Sequence, residues 1–265
     1  MQNLITRGIS GTVYAIIFIS AILYREASYV ALISVFAAIC LYEFNKLIAF
    51  KNNIPYAVLP LVIFTTKYFA NEISILFLLF YTILCSVKLL VFLPKTKSVK
   101  TNSFIKKLNL TVSYIILPFT FLILLPNYKG NYTPLIMIFI IVLIWTNDSF
   151  AFILGKNFGK RKLLETVSPK KTIEGFLGGL LCSVLAGVLI GYFSPLLSIE
   201  HWIVIAILVS VLGSFGDLVE SKFKRTAKVK DSGTIMPGHG GLLDRLDSLY
   251  FIAPFVYLYI HILIR

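Results

Sequence analysis

The sequence predicts an all-α polytopic membrane protein, with about nine transmembrane helices and one polar, cytoplasm-facing site. Three observations predict it. The first is composition: of 265 residues, 58% are hydrophobic and only 14% are charged, where soluble domains run at roughly 45–50% apolar and about a quarter charged. A soluble fold of this size has no interior large enough for so much apolar surface, so lipid is the solvent that suits it. The second is the recurrence of apolar runs close to the roughly 20 residues that cross a bilayer. The third is the placing of the charge. The net +13 sits in alternate connecting segments, which speaks for membrane topology and against nucleic acid as the partner.

In order, the apolar runs are 9–24, 27–41, 55–69, 73–92, 110–125, 134–154, 176–195, 202–218 and 249–264. The first follows a short polar start and reads as a retained span, not a removed leader. Only Arg25 and Glu26 separate it from the second. The fourth carries Lys88 near its end, where the long stem can snorkel to the interface. Basic residues gather after the second run (Lys46, Lys51), the fourth (Lys95, Lys97, Lys100, Lys106, Lys107), the sixth (Lys156, Lys160, Arg161, Lys162, Lys170, Lys171) and the eighth (Lys222, Lys224, Arg225, Lys228, Lys230, Arg245). The positive-inside rule places these even-numbered segments in the cytoplasm, with the N-terminus inside and the C-terminus outside. Residues 1–265 read as a single integral membrane domain, in which 1–133 are N-terminal helices and 134–265 hold the polar motifs. Cys40, Cys85 and Cys182 fall in apolar runs without metal-ligand spacing and read as small hydrophobes.

The segments after the sixth and eighth runs carry charge of both signs and face the same side, so they can form one site. In the first, Asp148 lies inside an apolar run. An intramembrane acid is a functional candidate because hydrocarbon penalises its charge; a polar contact between helices is the plain alternative. Gly155 and Gly159 flank Lys156 and Lys160, a weak phosphate signal that is not a P-loop. The run Ser168-Pro-Lys-Lys-Thr-Ile-Glu174 predicts a helix start with Pro169 in its first turn. Lys170 and Lys171 beside a helix N-terminus suit an anion, or they only obey the topology rule.

The second segment is denser. Asp217, Glu220 and Ser221 stand at i, i+3 and i+4 and share a helix face. Asp244 and Asp247 repeat the i, i+3 spacing where the last run begins. Carboxylates from two helices, with one histidine and no cysteine nearby, point to a hard cation held through oxygen, magnesium first. The interleaved Lys and Arg supply counter-charge for phosphates. Glycines around His239 give a closely approachable backbone. Taken singly, these features have structural readings: an ion-paired helix start at Asp244–Arg245–Asp247, a headgroup patch at Lys222, Lys224 and Arg225, a loop-holding hydrogen bond at His239.

At these residues the sequence resembles the phosphatidate cytidylyltransferase (CDP-diacylglycerol synthase) family. The resemblance rests on Ser221-Lys-Phe-Lys224-Arg225, Lys230-Asp231, Pro237-Gly-His239-Gly240-Gly241 and Asp244-Arg245-Leu-Asp247, with Asn147-Asp148-Ser-Phe-Ala and Ser168-Pro-Lys170-Lys171-Thr-Ile-Glu174-Gly175 upstream. Met236 and Phe152 depart from the family pattern conservatively, and Glu165 is more acidic than it expects. The first half resembles the family only in hydropathy and fragments such as Tyr42-Glu43-Phe.

The resemblance implies a reaction between CTP and phosphatidic acid, giving CDP-diacylglycerol and pyrophosphate in phospholipid biosynthesis. It implies an integral protein of a bacterial-type inner membrane, dependent on Mg2+, with a second cation such as K+ and a homodimer. On this reading Asp217 and Asp244 are the metal ligands, with Asp148, Asp231 and Asp247 as second choices. Asp148, Lys224, Arg225, Lys230, Asp231, His239, Arg245 and Asp247 form the catalytic set. Lys156, Lys170, Lys171, Glu174, Ser221, Lys222, Gly240 and Gly241 bind substrate. A CTP-dependent transferase acting on another isoprenoid lipid is the alternative enzyme. A cation transporter fits less well, because the acids cluster at one face among phosphate-type bases.

Overall fold

The computed structural model describes residues 2–94, 103–238 and 240–264. It is built of helices: α1 (Gln2–Tyr24), α2 (Glu26–Leu47), α3 (Ile54–Tyr68), α4 (Glu72–Phe92), α5 (Phe104–Thr111), α6 (Leu117–Leu124), α7 (Pro134–Phe158), α8 (Ile173–Phe193), α9 (Ile199–Thr226) and α10 (Leu243–Leu258). A π turn at Val112–Ile116 joins α5 to α6, and another at Tyr259–Leu263 extends α10. Among the described residues, seven helical stretches are long and apolar enough to cross a membrane, and Gly8–Tyr24 and Ile54–Tyr68 are shorter apolar helices. The protein is therefore an all-α polytopic membrane protein. Its outward faces agree: Leu177, Leu181, Leu185 and Leu189 of α8 stand one turn apart and are all more than half exposed, an apolar stripe that lipid covers.

The opposite face of α8 explains how the second half packs. Gly175, Gly179, Ser183, Gly187 and Gly191 recur at i+4, a stripe of small residues that lets helix backbones approach. A Cβ on Gly175 would stand 2.6 Å from the Ala151 carbonyl, and one on Gly179 would stand 2.7 Å from the Asn147 carbonyl, both on α7. Further along, a Cβ on Gly187 would meet the Trp202 carbonyl at 2.8 Å. The stripe thus passes from α7 to α9 and locks the three helices in succession. Gly216 does the same between α9 and α10, where a Cβ would come within 2.8 Å of Phe251.

The two halves meet in an aromatic cluster. Phe44 of α2, Tyr114 of the first π turn and Phe223 of α9 have ring centroids 5.0–5.1 Å apart, and Tyr250 of α10 packs on Tyr114 at 5.5 Å. Such contacts add to burial and fix α2, α9 and α10 side by side.

Two predicted boundaries move. The run Ser168–Thr172 is not a helix start but a strand, β4, paired antiparallel with β3 (Lys162–Leu164). The helix begins after it, with Thr172 as N-cap accepting the Gly175 N–H at 3.2 Å; Thr is the better cap by its side-chain oxygen, and Pro169 is tolerated in a two-stranded ribbon that is all edge. α9 continues to Thr226 and α10 starts at Leu243, so Asp217 to Arg225 and Asp244 to Asp247 ride on helix, while Lys230, Asp231, Gly240 and Gly241 lie in the loop between.

Candidate active site

α1, α7, α8, α9, α10 and β4 enclose a cleft of about 930 Å3. Its apolar lining includes Phe18 of α1 and Ile141, Ile144, Trp145 and Phe152 of α7. Its charged lining is Asp148, Lys156, Lys170, Lys171, Asp217, Lys224, Asp231, Asp244, Arg245 and Asp247, with Lys162 beside them. The structure therefore brings most of the predicted residues from the two segments into one space.

The acids in and just behind it form two groups, with Glu220 buried behind the lining. Asp217, Glu220 and Asp247 each offer a carboxylate oxygen, and these oxygens lie within 4.8 Å of one another. Their spacing follows from α9 putting Asp217 and Glu220 on one face and α10 facing it with Asp247. Asp217 is held by Lys171, Nζ to Oδ2 2.5 Å, and by the Ser221 hydroxyl, which donates to Oδ1 at 3.2 Å. Glu220 is fully buried, paired with Lys224 at 2.6 Å, and neither of its oxygens has an aligned hydrogen-bond donor. Asp247 accepts the Ser248 N–H at 2.7 Å, so Glu220 alone of the three is left without an aligned donor; close carboxylates repel one another, and an all-oxygen set of this kind could hold Mg2+.

Asp244 is different. Its Oδ1 takes the Lys224 ammonium at 2.6 Å, and its Oδ2 takes the Ser232 N–H and hydroxyl at 2.9 Å and the Gly241 N–H at 2.8 Å. Asp244 thus holds the 231–241 loop against α9, and the acids whose oxygens converge closely enough to hold a cation are Asp217, Glu220 and Asp247. Asp148 faces the cleft from α7 and accepts from Asn147 Nδ2 at 3.2 Å.

Other predicted residues have structural partners instead of lining the cleft. Lys222 points away from it: its Nζ donates to the Phe92 and Leu93 carbonyls at 2.5 and 2.9 Å and lies 4.3 Å from the Phe92 ring centroid. It satisfies carbonyls at the end of α4, where a helix C-terminus favours a cation. Arg225 donates to the Val167 carbonyl at 3.3 Å and the Val229 carbonyl at 3.4 Å, tying the β3–β4 turn to the end of α9. Glu174 accepts from the Lys160 N–H at 2.9 Å and from Arg161, so it closes the loop before β3. Ser221 orients Asp217. Lys230 opens on a second cavity of about 750 Å3 with Lys46, Lys107 and Lys228, and Asp231 lines both cavities. Gly240 has φ +92°, a turn conformation that a side chain would strain. His239 lies outside the described residues.

Sequence reasoning passed over Glu220 as a ligand, Lys162, and Glu43 of α2, which is buried yet reaches the same loop by three hydrogen bonds. The i, i+3 spacing of Glu220 from Asp217 was the available signal for the first. An acid well inside α2, beyond the Glu26 of its first turn, was the signal for Glu43.

Acids crossed by lysines, in a cleft with apolar lining inside a membrane protein, suit an enzyme of lipid-linked phosphate chemistry. The comparison with known proteins gives that class its family. The chain belongs to the cytidylyltransferase family, whose sequence pattern matches residues 5–263. It is 31% identical to the phosphatidate cytidylyltransferase of Bacillus subtilis over 263 residues, 97% of each chain. A stretch of 119 residues is 48% identical to the phosphatidate cytidylyltransferase of Staphylococcus epidermidis, taking in 44% of this chain and 46% of that one. The Staphylococcus aureus protein of the same name is 46% identical over 120 residues, 44% of this chain and 46% of that one.

Proposed function

We propose that this chain transfers the cytidylyl group of CTP to phosphatidic acid, giving CDP-diacylglycerol and pyrophosphate. The observation that carries the reading is the likeness to the Bacillus subtilis phosphatidate cytidylyltransferase over 97% of both chains. The shape of the cleft supports it: acyl chains lie along Phe18, Ile144, Trp145 and Phe152, and the phosphates lie along Lys156, Lys162, Lys170 and Lys171.

Phosphatidic acid brings its own nucleophile. A phosphate monoester has a second pKa near 6, so its oxygen is anionic at neutral pH and needs no strong base. That oxygen attacks the α-phosphorus of CTP. The bond from the α-phosphorus to the bridging oxygen breaks, and pyrophosphate leaves with the electron pair. The obstacle is repulsion between two polyanions. Lys156, Lys162, Lys170 and Arg245 lower it by setting fixed positive charge where the phosphates meet. Lys171, held by Asp217, is placed to follow charge onto the leaving group. Asp217, Glu220 and Asp247 would hold Mg2+, which supplies further charge neutralisation at phosphate oxygens when bound. Direct transfer inverts configuration at the α-phosphorus.

The topology reading accompanies this. Nine crossings, counting the shorter α1 and α3, place the ends of α7 and α9 and the start of α10 on the cytoplasmic side, where CTP is found. The bacterial relatives support an inner-membrane location. Purified protein incubated with CTP, Mg2+ and phosphatidic acid is expected to release CDP-diacylglycerol and pyrophosphate in equal amounts. Turnover with a polyprenyl phosphate and none with phosphatidic acid would replace the acceptor assignment.

A further inference from the structure

We infer that Glu43, in the N-terminal half, is a positioning residue for this reaction: from another helix it caps α10, which carries Asp244, and helps to set the loop that Asp244 binds. The inference rests on the function proposed above. Glu43 sits on α2 and is 1% exposed. Its Oε1 accepts the Leu242 N–H at 3.2 Å and its Oε2 accepts the Leu243 N–H at 2.8 Å. The first turn of any helix leaves N–H groups without intrahelical partners. A Ser, Thr, Asp or Asn at the N-cap normally takes one of them. Here the N-cap is Leu242, which has no side-chain acceptor and makes no such bond. A carboxylate from α2 takes the place of the local cap, and negative charge at this helix end is favourable.

The same carboxylate reaches the site chemistry through Ser232. The Ser232 hydroxyl lies 3.2 Å from Glu43 Oε2 and 2.9 Å from Asp244 Oδ2. Asp244 is bound by Lys224, and Lys224 by Glu220. A continuous polar path therefore runs from α2 through the loop to the acid cradle on α9. Two glycines are shaped around it. A Cβ on Gly233 would stand 2.2 Å from Glu43 Oε1, and one on Gly241 would stand 2.0 Å from the Ser232 hydroxyl and 2.6 Å from Glu43 Oε2. Gly241 has no left-handed backbone to account for it, so the space for Glu43 is what requires glycine there. The glycines of the 233–241 loop are fitted to a side chain from the other half of the protein.

The test uses full-length enzyme in detergent or nanodiscs, with Glu43→Gln, Ser232→Ala and Gly241→Ala beside wild type. Ser232→Ala keeps the α10 cap and cuts only the link to Asp244, so it serves if the others fold poorly. Two readouts are taken: kcat and KM for CTP per folded protein, and hydrogen exchange at the Leu242 and Leu243 amides. Glu43→Gln is expected to lower kcat by about 10–100-fold, the usual cost of misplacing groups by about 1 Å, and to speed exchange at those amides while α7 and α8 stay protected. Ser232→Ala is expected to lower kcat with the amides still protected. Wild-type kcat in both variants, or a loss explained wholly by a smaller folded fraction, would overturn the inference. If wild type itself makes no CDP-diacylglycerol, the proposed function fails; the exchange readout still decides whether Glu43 caps α10.

Discussion

Glu220 and Asp244 lie on either side of Lys224, each 2.6 Å from its ammonium, yet only one of them has its remaining hydrogen-bonding capacity met. Asp244 takes three more donors from Ser232 and Gly241. Glu220 has no aligned donor and faces Asp217 and Asp247. The difference separates two kinds of acid around one cleft. A carboxylate saturated by its own chain is an organiser that fixes a loop and a helix end. A carboxylate such as Glu220, left without an aligned donor beside two other acids, suits something brought from outside. Burial alone does not tell them apart, since both groups are largely withdrawn from solvent.

The comparison can be broken most sharply at Asp217. Asp217→Asn removes charge from the cradle and a partner from Lys171, and CDP-diacylglycerol formation is expected to fall by about 100-fold or more, with the remaining activity needing higher Mg2+. A rate within a few-fold of wild type would end the assignment. Lys224→Met should act on both acid groups at once. It leaves two largely buried carboxylates without their shared cation, and removing one partner of a buried pair costs about 3–5 kcal/mol, read as a fall in thermal midpoint in detergent. Lys222→Met sharpens the contrast between neighbouring lysines. It should cost about 1.5–3 kcal/mol through lost bonds to the α4 carbonyls, with kcat per folded molecule unchanged. Gly179→Ala, far from any charge pair, should cost about 1–3 kcal/mol by overpacking α8 against the Asn147 backbone. A neutral result would mean that α7 and α8 can part more easily than their contact suggests.

Much of the fold was legible because a bilayer imposes simple rules. Apolar run length and alternating Lys and Arg mark most helices of the structure, though α5, the polar extension of α9 and the start of α10 lie outside the apolar runs and shift the boundaries. The site was legible where chemistry is local in sequence: Asp217 with Glu220, Asp244 with Asp247, Lys170 with Lys171. It was not legible where direction in space decides. Lys222 and Lys224 are two residues apart on one helix, so they point about 200° apart, and spacing alone does not say which side is the cleft. Thr172 outcompetes Pro169 as the helix start because Ser168–Thr172 pairs as a ribbon with Lys162–Leu164, a contact no periodicity announces. Glu43 bonds to residues 199 and 200 positions away, and nothing in its own neighbourhood points to them.

The most direct measurement of the central distinction is Mn2+ binding to purified protein, followed by its electron spin resonance, in wild type, Asp217→Asn and Asp244→Asn. The account predicts that Asp217→Asn loses the bound ion, while Asp244→Asn retains it and turns over slowly because its loop is no longer held. Loss of the ion in Asp244→Asn with normal binding in Asp217→Asn would contradict the account.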